Sequence, residues 1–161
     1  MESTGLSYDD FFMSVKDEYK DFVREVNERV AEAGYTKINV GTNKTNLYKV
    51  AFAQPKTRKG IANFYLRKKG LKMTISAKHC ADYPETFAAM NEEMKKQIDK
   101  AHDCKNLVEG GGCMDKCAGY NFRIGETPYQ KCKFGCFLFD VEKENLPVLR
   151  TLLESELKAR G

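Results

Sequence analysis

Cysteines are the residues here whose type and spacing could do the most distinctive chemistry. They stand at Cys80, Cys104, Cys113, Cys117, Cys132 and Cys136, and five of the six fall within 33 residues. Cys113-x3-Cys117 and Cys132-x3-Cys136 have the within-pair spacing of structural zinc sites, and the 14 residues between the pairs could form a hairpin that brings them together. Four thiolates around one tetrahedral Zn²⁺ make a closed site, structural rather than catalytic. Gly112, Gly119 and Gly135 would let backbone amides turn towards sulfur, and Lys116, Lys131 and Lys133 would offset the negative charge. Cys104 and His102 are spare ligands. A competing reading is that these are small core residues. Along a continuous strand Cys132 and Cys136 would lie ~13 Å apart, so chelation requires a turn between them, and unligated cysteine is among the most buried residue types. A disulfide or redox-active pair is the third option. No Cys-x-x-Cys is present, which argues against a thioredoxin-like oxidoreductase or a zinc-ribbon knuckle, and the familiar iron–sulfur spacings are missing.

Charge supplies the second candidate. From Tyr35 to Ala81, 47 residues hold 11 Lys/Arg and no acid, while the remaining chain holds 16 Lys/Arg and 23 Asp/Glu. The overall +4 therefore hides a +11 window against a −7 remainder. Strand alternation puts Lys49, Arg67 and Lys72 on an outward sheet face with Tyr65 among them. Cations around an aromatic ring suit an anionic ligand or single-stranded nucleic acid, with phosphate taking the charge and a base stacking on the ring. The plainer account is a solvated face balanced by an acidic first helix carrying Asp9, Asp10, Asp17, Glu18, Asp21, Glu25, Glu28 and Glu32. No RNP, KH or helix-turn-helix signature accompanies the charge, and Lys56-Thr57-Arg58-Lys59-Gly60 lacks the framework of a phosphate loop.

Catalytic signatures are absent. With two histidines, His79 and His102, acid–base chemistry has few options. His79 and Cys80 are neighbours that would point to opposite faces of a strand, so His79 reads as a strand-end surface residue and His102 as a cation at a helix C-terminus.

The elements that must position these groups follow from periodicity. Residues 7–33 place Phe11, Val15, Tyr19, Phe22, Val26 and Val30 on one face of a helix that Ser7 and Asp10 cap and Gly34 stops. Residues 46–77 alternate as a basic β-meander of three strands, with Lys68-Lys69-Gly70 a tight turn. Residues 82–102 form a second helix, through Phe87, Met90, Met94 and Ile98. Residues 103–120 are a Gly/Cys loop, 121–140 a β-hairpin or meander, and 146–159 a third helix with Pro147 in its first turn.

The expectation is one α+β domain over 1–161, an antiparallel sheet of two β-meander segments packed with three amphipathic helices. No stretch is apolar enough for a bilayer, and Met1-Glu2-Ser3-Thr4 shows no secretory leader, so a reducing cytoplasmic setting and no membrane partner are expected. The functional expectation is a zinc-stabilised binding or regulatory protein whose basic sheet face takes an anionic ligand or nucleic acid. The alternative is a small-ligand sensor or enzyme with buried cysteines and a pocket between sheet and helices.

Overall fold

The computed structural model describes residues 7–111, 119–132 and 137–161. The fold is α+β. Strands β1 (Thr36–Gly41), β2 (Tyr48–Ala53), β3 (Gly60–Arg67), β4 (Gly70–Ile75) and β7 (Phe139–Asp140) make a sheet in that order, and β5 (Tyr120–Ile124) pairs separately with β6 (Thr127–Lys131). The chain divides into two compact units. The first ends at Thr74 and takes in Asp140–Lys143, and the second holds Ile75 to Phe139 and Glu144–Gly161.

In the first unit the helix expected over 7–33 is two helices, α1 (Tyr8–Ser14) and α2 (Asp17–Glu32). Val15 and Lys16 both turn to ψ near +140°, at 141° and 139°. Val15 is β-branched, and Asp17 and Glu18 open a fresh first turn at the positive end of a new helix dipole. The outer caps are those expected: Ser7 Oγ accepts the Asp10 N–H at 3.1 Å, and Gly34 stops α2 at φ +91°. The apolar stripe survives the break, with Phe11, Val15, Phe22, Val26 and Val30 buried and Tyr19 half-buried. Phe64 of β3 sits at the centre of the core, its ring 5.9 Å from Phe11, 5.9 Å from Phe52 and 6.4 Å from Phe22.

The sheet extends beyond the meander expected over 46–77. β1 pairs antiparallel with β2 through an irregular register between Lys37 and Asn39, which breaks the alternation that would have announced the strand. β7 contributes only two residues, too few to carry a pattern. Within β2–β3 the pairing Lys49↔Tyr65 and Val50↔Phe64 sets one face in the core and the other outward, as the alternation requires.

In the second unit the helix expected over 82–102 is again two. After a 3₁₀ turn at Cys80–Asp82, α3 (Pro84–Ala88) ends before Asn91, whose Oδ1 accepts the Met94 N–H at 2.9 Å and starts α4 (Glu92–Lys100). The loop expected over 103–120 contains a short helix, α5 (Lys105–Val108). Of the two forms open for 121–140, the described part is a hairpin. It runs from Tyr120↔Lys131 to Ile124↔Thr127 around Gly125-Glu126, with Gly125 at φ +62°. Phe122 stacks on Phe87 at 4.3 Å and meets Phe137 at 5.8 Å. Helix α6 (Leu146–Arg160) buries Leu149, Leu152, Leu153 and Leu157. Among the described residues no helix is long and apolar enough to cross a membrane.

Candidate functional site

A cleft of about 560 Å³ opens in the first unit where several connections meet. Ser14, Lys16 and Tyr19 reach it from the α1–α2 junction, Leu47 and Tyr48 from the start of β2, Leu66 to Lys72 from the β3–β4 turn, and Asp140, Val141 and Glu142 from β7 and the residues after it. Lys16, Arg67, Lys68, Lys69 and Lys72 give it five cations against two carboxylates, while Leu47, Leu66, Leu71 and Val141 supply apolar wall. Gly70 makes the turn possible at φ +145°, which places Lys68 and Lys69 at its tip.

The cations are held differently. Lys72 Nζ pairs with Asp140 Oδ1 at 2.6 Å. Arg67 donates from Nε to Asn46 Oδ1 at 2.8 Å. Asn46 is buried and is itself fixed, its N–H on Asn43 Oδ1 at 2.7 Å and its carbonyl accepting from Thr42 Oγ1 at 2.9 Å. The side chains of Lys16, Lys68 and Lys69 make no hydrogen bond or ion pair among the described residues.

Of the four residues expected on the basic sheet face, two line the cleft, Arg67 and Lys72. The other two sit further along the outward face, opposite each other in register, with Lys49 Nζ 5.7 Å from the centre of the Tyr65 ring. That cation–π contact leaves Lys49 exposed and Tyr65 half-buried.

The second unit holds a buried polar network that periodicity did not indicate. Glu156 of α6 is fully buried, yet Oε1 accepts from the Tyr83 hydroxyl at 2.6 Å and the His79 N–H at 2.9 Å, and Oε2 accepts from Arg160 Nε at 2.6 Å and faces His79 Nδ1 at 3.0 Å. Arg160 also donates from Nη2 to the Ser76 carbonyl at 3.0 Å. Burial alone would push the Glu156 carboxyl up, but the hydrogen bonds from Tyr83, Arg160 and His79 outweigh it and hold the carboxyl below its ordinary value. His79 is thus no isolated surface residue. Neighbouring Cys80 is pushed up to about 11, chiefly by burial, so it is a thiol at neutral pH and no ready nucleophile.

Three of the four cysteines expected to hold zinc, Cys113, Cys117 and Cys136, lie outside the described residues. The fourth, Cys132, is half-buried, and its N–H donates to the His102 carbonyl at 2.6 Å. Cys104 is buried at the same end of the hairpin, its N–H on the Gln130 carbonyl at 2.8 Å. Cys80, Cys104 and Cys132 carry thiols rather than described disulfides. Among the described residues no three His, Cys, Asp or Glu side chains are grouped to hold a metal ion.

What fold and site define together is an α+β protein with a basic, partly apolar cleft in one unit and a buried carboxylate network in the other. Comparison with family models, curated proteins and solved structures finds no match, so chemistry alone carries its function.

Proposed function

We propose that this chain is a binding protein for an anionic ligand with an apolar body, taken into the cleft at the β3–β4 turn. The observation that carries this is the joining of five cations to a leucine- and valine-lined wall in one concave site, the pattern of small-ligand pockets rather than of a flat charged face. It moves the anion site from the middle of the sheet towards its end, keeping Arg67 and Lys72 and adding Lys16, Lys68 and Lys69. In Lys68→Glu with Lys69→Glu, titration with the anionic aromatic probe anilinonaphthalene sulfonate should show at least about tenfold weaker binding, whereas Lys49→Glu should change it less than about twofold. Circular dichroism checks that both variants are folded. Equal binding by the turn variant and the parent chain overturns the proposal. Oligonucleotide retention that responds to Lys49→Glu and not to the turn variant would favour nucleic acid on the sheet face instead.

Structural zinc on Cys113, Cys117, Cys132 and Cys136 is a second, separate element of this reading, suited to a reducing cytoplasmic setting. What supports it is the β5–β6 hairpin, which pairs Tyr120 with Lys131 and so brings Gly119 and Cys132, the described residues on either side of it, to one end. Cys104 and His102 flank that end. Protein purified under reducing conditions without added metal should carry close to one equivalent of zinc by elemental analysis and lose folded hairpin signal on chelation. Less than about 0.2 equivalents rejects the site, because structural zinc binds with ~10–16 kcal/mol.

A further inference from the structure

From the cleft's charges we infer that its ligand is a phosphomonoester carrying an apolar tail, a deeper statement of the binding function proposed above, on which it rests. Lys72 and Asp140 neutralise each other across 2.6 Å. The remaining charged lining groups are Lys16, Arg67, Lys68 and Lys69 against Glu142, a net excess of three positive charges. A carboxylate would satisfy one of these, whereas a phosphomonoester brings nearly two charges and three acceptor oxygens.

Arg67 sharpens the choice. Its Nε is already committed to Asn46, and Asn46 is locked by Asn43 and Thr42, so the guanidinium plane is held before any ligand arrives. Its terminal nitrogens remain for the fork geometry that matches phosphate oxygens. Lys68 and Lys69 on the turn add point charges. The apolar part of the site, Leu47 with Leu66, Leu71 and Val141, has nothing to offer a bare phosphate, and Leu47 is 48% exposed.

Calorimetric titration of the full chain with decyl phosphate, decanoate and inorganic phosphate, all below micelle-forming concentrations, tests this. Decyl phosphate should bind at least about tenfold more tightly than either of the others at pH 8. It should weaken several-fold at pH 5.5, as the second phosphate proton returns near pH 6, while decanoate changes little. Among the described residues no histidine or cysteine lines the cleft, where the titratable groups are its four lysines, Arg67, Tyr19, Tyr48, Asp140 and Glu142. Arg67→Lys, which keeps the charge and removes the fork, should lose most of the preference for phosphate over carboxylate. Decanoate binding as tightly as decyl phosphate, or inorganic phosphate doing so, overturns the inference and leaves the binding function standing. Failure of all three together with anilinonaphthalene sulfonate overturns both. If decyl phosphate binds, co-sedimentation with phosphatidylcholine vesicles containing phosphatidic acid separates the sources. Co-sedimentation assigns the monoester to a lipid headgroup and its absence to a free molecule, and either result upholds the inference.

Discussion

Replacing Glu156 by Gln is expected to cost about 3–5 kcal/mol of stability, enough to lower the melting temperature by roughly 10 °C. The substitution is nearly isosteric, so the loss would come from polarity and not from volume. An amide could keep its oxygen towards Tyr83 and the His79 N–H, but its NH₂ would then face Arg160 Nε, donor against donor, beside a guanidinium whose side chain is only 12% exposed. Adding Arg160→Met removes the stranded cation and should recover more than half of the loss. Chemical denaturation measures both variants. A loss below about 1 kcal/mol, or no recovery in the double variant, would show that the network contributes little.

Acid dependence follows from the same group. Its folded carboxyl lies below the ordinary 4.5, so the unfolded chain takes up the proton first. The stabilisation is complete above that ordinary value and drains away as pH falls through the lower folded one. The parent chain should therefore lose stability more steeply than the Gln variant between about pH 5 and pH 3.

Gly119→Ala is the second substitution expected to have a large effect, about 3 kcal/mol. A Cβ at Gly119 would collide with the Lys131 carbonyl oxygen and lie 2.8 Å from Cys104 Cβ. The first obstacle is backbone that the hairpin register holds in place, so it cannot rotate away. Gly111→Ala, where a Cβ meets nothing within 4 Å, is the matched control and should be nearly silent. Equal melting temperatures for the two would mean that the hairpin end relaxes freely.

The amphipathic stripes and the strand alternation were legible because they are local. Phe11, Phe22, Val26 and Val30 face the core through a helix break that leaves their spacing usable, and Val50, Phe52 and Phe64 alternate without interruption. The breaks were signalled more quietly. Asp17-Glu18 and Asn91-Glu92-Glu93 are both helix starts, but periodicity running straight through them masks the restart. Arg67 and Lys72 could be read as a basic face because strand parity places them there. That Lys16 and Glu142 stand at the same cleft depends on contacts far apart in sequence, which no window sees. The His79–Glu156 pair, 77 positions apart, is hidden for the same reason, although Glu156 amid Leu152, Leu153 and Leu157 was an acid on an apolar face and so a visible oddity.

The brevity of β7 has a consequence for the order in which the molecule can be made. Strands β1 to β4 are consecutive and can pair as they leave the ribosome, but Asp140, which neutralises Lys72, is synthesised 68 residues later. Until then Lys72 of β4 lacks its carboxylate partner and the cleft lacks the wall formed by Asp140, Val141 and Glu142. Non-local closures of this kind form late in folding. The cleft would thus be complete only once residues 140–142 have been made and paired, so that any molecule needing that wall is kept from the emerging chain until then.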